Sequence, residues 1–351
     1  MEKRLHLMQL PREVLLGEGL KGEVVNVARR LGLGERALVL YGPKTREIAG
    51  REIERNLREA YEVRSLLIRK GATMGEVERT MSLIKDESID WVIAVGGGSI
   101  IDVAKLASFK TGVPFISFPT TASHDGIASA NASIKDLGAK TSVKAVPPIA
   151  VVADVKIIKT APYRYLAAGV GDTISNLTAV KDWQLAHRIK GEYYSEYAAS
   201  LSLMSAKMVI KNADIIRLGN EESVRKVVKG LISSGVAMSI AGSSRPASGA
   251  EHLFSHALDM LLEKPALHGE QVGVGTIIMA YLHGLKWEKV RETLKRVGAP
   301  TTAYELGIEP EIIIEALTIA HTIRPERYTI LGKDGLTREA AEKAAKITGV
   351  I

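Results

Sequence analysis

The sequence predicts an α/β domain built on a mainly parallel sheet over residues 1–161, followed by an all-helical domain over 162–351. Three observations predict it. The chain has 351 residues, long for one hydrophobic core. Its first half alternates short apolar runs with amphipathic stretches, the rhythm of strands joined by covering helices. After about Pro162 the strand signal stops and only helical periodicity remains.

The elements follow in order. "MEKRLHLMQLPREVLL" has charges on both sides of a very short apolar run, with Pro11 close behind, so no signal-peptide core is expected there. "ALVLY" (37–41), "VRSLLI" (63–68), "WVIAV" (91–95), "PFISF" (114–118) and "IAVVAD" (149–154) read as buried strands. Between them "TREIAGREIERNLREAY", "GEVERTMSLIKDE" and "IIDVAKLASF" carry apolar residues at helical spacing. "ASIKDLGAKTSVKA" breaks the rhythm, and its polar residues around Asp136 to Lys140 predict a hairpin off the sheet. From "DTISNLTAVKDWQLAHRIK" to "TREAAEKAAKITG" the pattern is helical, punctuated by Gly, Pro and Asn.

Composition limits the function classes. With 46% hydrophobic and 25% charged residues the chain is of ordinary globular type, and at 5% aromatic it has few platforms for stacking bases. It contains no Cys, which excludes disulfides, thiolate zinc sites and cysteine nucleophiles. The net charge of +7 is spread over helix faces such as "VRKVVK" and "KVRETLKR" rather than gathered in a run. No nucleic-acid partner is expected, and a positive field suits small phosphorylated anions. "VGVGTIIMAYLHGL" reads as a buried helix, so the protein is expected to be cytoplasmic and not membrane-embedded.

"DWVIAVGGGSIIDVAK" runs from a strand through Gly96, Gly97, Gly98 and Ser99 into a helix beginning near Ile100. Glycines here let the backbone approach a phosphate, whose charge the amides and the positive helix end stabilise. It matches neither the GxGxxG fingerprint nor the Walker loop. A pyrophosphate site and a plain tight turn both satisfy it. Downstream, "FPTTASHDGIASANASI" sets out Thr120, Thr121, Ser123, Asp125 and Ser129 after a strand. Such groups either bond ribose and phosphate at the carboxyl edge of an open sheet or cap a helix at Ser123 or Asp125. After "ALVLYGPKT" no acid stands where a ribose 2′-hydroxyl is usually held; Gly42, Pro43 and Lys44 follow, so NADP is expected to be tolerated beside NAD.

"SRPASGAEHLFSHALD" puts His252 and His256 four apart, on one helix face. Leu253 stands where a zinc protease of the HExxH type needs its base, so that reading fails. His268 in "PALHGEQVGVGT" and Asp172 in "GVGDTISNLTA" each precede what reads as a helix start, and Asp172 taken alone is an ordinary N-cap. Together Asp172, His252 and His268 supply one carboxylate and two imidazoles, a catalytic zinc set with a fourth position open. His256, one turn beyond His252, then faces a substrate.

Taken with "LHGEQVGVGT" and the late "IRPERYTIL", these motifs resemble the metal-dependent polyol dehydrogenases that share a fold with dehydroquinate synthase and iron-containing alcohol dehydrogenases. The likeness is closest to the archaeal sn-glycerol-1-phosphate dehydrogenases and covers nearly the whole chain. It implies a dehydroquinate synthase-like architecture with a Rossmann-like sheet, and zinc on Asp172, His252 and His268. NAD or NADP is implied on Gly96, Gly97, Gly98, Ser99, Ile100, Ile101 and Asp102, and on Thr120, Thr121, Ala122, Ser123 and Ser129. Asp125, Asp172 and His256 are implied to touch the substrate. The implied reaction is reversible reduction of dihydroxyacetone phosphate to sn-glycerol 1-phosphate, the start of the archaeal ether-lipid backbone, by a homo-oligomer. The proton for the new alcohol is expected from His256, whose pKa class suits neutral pH, or from Asp125 through water. Arg324 and Arg327 are candidates to grip the phosphate, or else form an ion pair. The rival readings are a glycerol dehydrogenase acting on unphosphorylated substrate, a dehydroquinate synthase-type lyase, and a nucleotide-binding protein without turnover.

Overall fold

Runs such as "WVIAVG" and "AVVAD" bury every residue, which a strand does only in a sheet covered on both faces. The computed structural model describes residues 6–136 and 142–351. Two compact units emerge: one runs to Ala122 and resumes over Gly126–Pro162, and the other comprises Ser123–Asp125 and Tyr163–Ile351.

The first unit is built on strands β1 (Glu13–Gly17), β2 (Arg36–Tyr41), β3 (Glu62–Leu67), β4 (Trp91–Gly96), β5 (Phe115–Pro119), β6 (Asn131–Ser133), β7 (Ser142–Lys144) and β8 (Ala150–Asp154). Six of them form one sheet in the order β1-β8-β5-β4-β2-β3, with every pair parallel. Helices α1 (Glu23–Arg30), α2 (Arg51–Arg58), α3 (Met74–Asp86) and α4 (Gly98–Thr111) make the crossovers. Trp91, Ile93, Val95, Phe118 and Val152 lie in its core. β1 is not among the expected strands. It is an edge strand paired only with β8 and half-exposed, so it lacks the continuous apolar run of its neighbours. The expected hairpin has described arms, β6 and β7, paired antiparallel with Ala132 opposite Val143; residues 137–141 at its turn lie outside the described residues.

Sheet order fixes where a ligand can bind. The chain leaves β2 outward to β3 and returns to β4 on the other side of β2. Ligands of open α/β sheets bind at the carboxyl ends of strands at such a reversal, and the glycine turn stands there, at the end of β4.

The second unit is helical: α5 (Tyr163–Ile174), α6 (Asn176–Lys190), α7 (Glu196–Lys211), α8 (Glu221–Ala241), α9 (Ala250–Leu261), α10 (His268–Leu282), α11 (Trp287–Val297), α12 (Pro310–Ile323) and α13 (Arg338–Ile347), with shorter turns between. The "VGVGTIIMAYL" run is α10, buried from Gly269 to Ala280. Among the described residues no helix is long and apolar enough to cross a membrane.

One buried carboxylate anchors the loop after β3. Glu76, in the first turn of α3 and 2% exposed, accepts the amides of Arg69 and Lys70 at 3.0 Å each and pairs with Arg79. Burial pushes its pKa up, but the two amides and Arg79 outweigh burial and hold it below the usual carboxylate value. A depressed folded pKa gives stability present above the unfolded value and lost as pH falls through the folded one. Glu76→Gln is therefore expected to cost about 1–3 kcal/mol at neutral pH, with the gap to wild type closing on acidification below about pH 4. Denaturant melts across pH measure this, and a gap that stays constant to pH 2.5 would count against it.

Candidate active site

Two helices that touch backbone to backbone create the second unit's polar centre. A Cβ on Gly171 would lie 2.1 Å from the carbonyl oxygen of Gly269, and one on Gly269 would lie 2.0 Å from that of Ala168. Only glycine permits this approach of α5 to α10. Arg164 on α5 reinforces it, donating to both oxygens of Glu270 at 2.6 Å. The crossing brings together the residues adjacent to these glycines, Asp172 after Gly171 and His268 before Gly269. α9 packs on α10 and adds His252.

Ligand atoms of Asp172, His252 and His268 lie within 4.8 Å of one another. Asp172 Oδ1 is 3.7 Å from His252 Nε2 and 3.8 Å from His268 Nε2, near the edges of about 3.4 Å expected of an ideal tetrahedral zinc site. The remaining atom of each group is engaged elsewhere. Asp172 Oδ2 accepts the Asp125 amide at 2.8 Å. His252 Nδ1 lies 3.0 Å from Glu251 Oε1, a carboxylate that can only accept, so the ring proton sits on Nδ1. The Ser255 hydroxyl donates to Gln271 Oε1 at 2.8 Å, so its oxygen accepts from His268 Nδ1 at 3.2 Å. One oxygen and two Nε2 atoms thus converge, and with Nε2 of both rings unprotonated this donor set fits a zinc ion.

Without a cation, the positive charge of the centre falls on His252. Burial alone lowers the pKa of His252, but the carboxylates of Asp172 and Glu251 outweigh it and raise it to about 9. His268, with a side chain 32% exposed, is pushed down to about 3 by desolvation and by the positive charge of His252. Burial pushes Asp172 up, yet the imidazoles hold it below its ordinary value. The centre is arranged around positive charge.

Asp172 lies in the last turn of α5, not at a helix start, so the N-cap reading is corrected: Gly171 before it serves the helix crossing. His256 shares the α9 face with His252, its ring 5.7 Å from that of His268 and its Nδ1 3.6 Å from Asp259 Oδ2. Burial pushes its pKa down, and the charges of His252 and Arg324 add to this. Asp125 joins the group through its amide, and its Oδ2 accepts from Ser234 of α8 at 3.3 Å.

The remaining expected residues lie elsewhere. Gly96 ends β4, Gly97 precedes α4, and Gly98, Ser99, Ile100, Ile101 and Asp102 form its first turns. A Cβ on Gly96 would meet Ile100 at 2.5 Å, so the turn is tight, and the first amides of α4 have no partner within the helix. Ser99 is exposed, whereas Ile101 is buried and Asp102 pairs with Lys105 at 3.2 Å. The Thr120 amide bonds Gly96 O at 3.0 Å, Thr121 and Ala122 follow, and Ser129 is buried. Ser123 belongs with Asp125 in the helical unit. Arg324 follows α12, and the Arg327 amide bonds its carbonyl at 2.9 Å. Arg327 donates to Ser248 O at 2.5 Å and Ser244 Oγ at 2.7 Å, so it holds the segment leading into α9 rather than forming an ion pair.

Sequence reasoning passed over His124, whose ring is 6.4 Å from that of His268, and Glu251. Both adjoin residues it did select, Asp125 and His252, and that adjacency was the available signal.

Known proteins are similar to this chain as a whole. Residues 15–162 match the iron-containing alcohol dehydrogenase family. The glycerol-1-phosphate dehydrogenase (NAD(P)+) of Thermococcus kodakarensis is 87% identical over 351 residues, covering 100% of both chains. That of Pyrococcus furiosus is 73% identical, covering 99% of this chain and 100% of its own, and that of Methanosarcina acetivorans is 56% identical, covering 98% and 96%. Among solved structures, glycerol dehydrogenase from Schizosaccharomyces pombe aligns with a TM-score of 0.81 at 20% identity over 98% of this chain and 90% of that one. A probable glycerol dehydrogenase from Sinorhizobium meliloti gives 0.79 at 22%, covering 98% of each. At such identities the structures speak for the fold alone.

The glycine crossing is testable. Gly171→Ala sets a methyl against the Gly269 carbonyl and is expected to cost about 1–3 kcal/mol or more, with loss of stoichiometric zinc. Gly75→Ala in α3, where nothing lies within 4 Å, is expected to keep zinc content and to raise stability by up to about 1 kcal/mol. Calorimetry and metal analysis of the two variants decide it, and full zinc content in Gly171→Ala contradicts the account.

Proposed function

This chain belongs to the glycerol-1-phosphate dehydrogenase family, within the iron-containing alcohol dehydrogenases, and from that premise we propose how its residues carry out the reaction. It reduces dihydroxyacetone phosphate reversibly to sn-glycerol 1-phosphate with NADH or NADPH, using zinc held by Asp172, His252 and His268. One observation carries the mechanism: these three groups converge with their other polar atoms already engaged, and His256 and Asp125 stand beside them.

When bound, zinc supplies a Lewis acid that polarises the ketone and the nicotinamide supplies the hydride. The chain's residues do the rest. Amides at Gly97, Gly98 and Ser99 bind the pyrophosphate of the dinucleotide, with Thr120, Thr121, Ala122, Ser123 and Ser129 as its further contacts. Gly96 keeps the turn tight, and Ile100, Ile101 and Asp102 hold it through the α4 packing. Asp125 and His256 orient the substrate hydroxyls.

His256 handles the proton. Burial keeps its imidazole neutral near pH 7, the form that accepts a proton when the alcohol is oxidised. Protonated, it returns that proton in the reductive direction. Asp125, tied through its backbone to Asp172, is the alternative route through water. Replacing His256 with Asn is expected to lower kcat about 10²–10⁴-fold in both directions while zinc content stays at wild-type level.

Arg324 receives the phosphate. It follows α12, which packs on α9, and its charge lowers the pKa of His256. Nearby, burial and the charges of Arg324 and Arg245 push Arg327 down to about 9, so this cluster has positive charge that a phosphate dianion relieves. The same proposal includes a cytoplasmic enzyme acting as a homo-oligomer, which light scattering of the purified protein checks.

Stereospecific assay of dihydroxyacetone phosphate reduction before and after chelation tests the core of the reading. Activity is expected to vanish on chelation and return with zinc; full activity after removal of divalent ions rules the mechanism out. Arg324→Ala is expected to raise KM for dihydroxyacetone phosphate about 10–100-fold and to change that for free dihydroxyacetone little. Equal effects on the two ketones count against Arg324.

A further inference from the structure

Glu251 is fully buried, at 0% exposure, in the first turn of α9. A carboxylate so deeply enclosed needs a hydrogen bond for each oxygen, and it has them. Oε1 accepts the Gly249 amide at 2.5 Å and faces His252 Nδ1 at 3.0 Å, while Oε2 accepts the Thr178 hydroxyl at 2.7 Å. Thr178 lies on α6, the helix immediately after the one that carries Asp172.

A second contact repeats the pattern one turn along α6. Asp182, four residues beyond Thr178 and so on the same helix face, accepts the Ala250 amide at 2.7 Å. It also accepts the Ile330 amide at 2.6 Å and lies 2.9 Å from His283 Nε2. The approach is close: a Cβ on Gly249 would lie 2.5 Å from Asp182 Oδ2 and 2.9 Å from the Ala179 Cα. The start of α9 is thus fixed against α6 at its amide end by Asp182 and at its first acidic side chain by Thr178.

We propose that Glu251 is a positioning residue of the metal centre: held by Thr178, its carboxylate fixes the His252 ring with the proton on Nδ1 and the Nε2 lone pair turned toward Asp172 and His268. The inference rests on those three residues being the metal ligands. Its chemistry is that of a carboxylate orienting a metal-bound imidazole and raising its basicity. Glu251 touches neither substrate nor cofactor in this account and acts through His252.

Glu251→Gln isolates the charge. The amide oxygen can still accept from Gly249 and His252, and the amide nitrogen can donate to Thr178, whose hydroxyl can turn to the Ser175 carbonyl at 3.0 Å. Zinc affinity of the metal-stripped full-length protein is measured by competition with a chromophoric chelator for wild type, Glu251→Gln, Thr178→Val and Glu76→Gln. The metal-free melting temperature and the cobalt(II) absorption spectrum of each are recorded alongside. Glu251→Gln is expected to weaken zinc binding about 10–100-fold and shift the cobalt bands, with a near wild-type metal-free melting temperature. Thr178→Val is expected to do the same to a smaller degree and keeps the proposal testable should Glu251→Gln fold poorly. Glu76→Gln, which destabilises elsewhere, is expected to leave zinc affinity unchanged. Unchanged affinity in both Glu251→Gln and Thr178→Val overturns the role of Glu251, as does an equal loss in Glu76→Gln. A wild-type protein that binds no divalent ion overturns instead the ligand set itself.

Discussion

The helical unit depends on one steric constraint, the contact of α5 with α10 through Gly171 and Gly269. At 2.0–2.1 Å from the opposing carbonyls there is no room for any side chain. A contact this close fixes the rotation of both helices about their axes, because only a glycine face can be turned inward. Fixing that rotation also fixes the neighbouring side chains: Asp172 and His268 are the residues after and before those glycines. A centre built on this backbone contact needs few long-range polar interactions to bring its ligands together. It needs them to choose which atom of each ligand points inward.

That second task is performed by hydrogen bonds, and here the sequence was least legible. Residue types and spacing brought out Asp172, His252 and His268 as candidates, because a carboxylate and two imidazoles beside glycines and at helical intervals are visible as text. Why Asp172 sits among glycines was misread, since a glycine before an acid looks the same at a helix start as at a helix crossing. The orienting partners Ser234, Ser255 and Thr178 were invisible for a plainer reason. A serine or threonine on a buried helix face looks like any other, and only its distance to one atom of one polar partner distinguishes it.

The α/β unit was legible for the opposite reason. Its strands announce themselves because a parallel sheet buries both faces, so the text becomes continuous Val, Ile, Leu and Ala. β1 escaped detection because an edge strand is relieved of that requirement. The glycine turn was legible as a turn, and the sheet order that puts it at a strand-order reversal was not, because a reversal between β2 and β4 is a property of pairing and leaves no local trace. At Gly96 the requirement is steric, since a Cβ would lie 2.5 Å from Ile100.

Buried charge links the two levels of the helical unit. Asp172, Asp182 and Glu251 are all essentially inaccessible, and three carboxylates in one helical core would be costly without compensating cations. Asp182 lies against His283, and Asp172 and Glu251 flank His252, whose imidazole they raise to about 9. One protonated ring cannot balance two carboxylates and also leave a lone pair for catalysis. In the proposed centre, Asp172 and His252 would hold a divalent ion whose charge would offset both carboxylates, with Glu251 keeping the His252 ring proton on Nδ1. On that proposal, the buried acids of the helical core are also the groups that would favour a dication and orient its ligands.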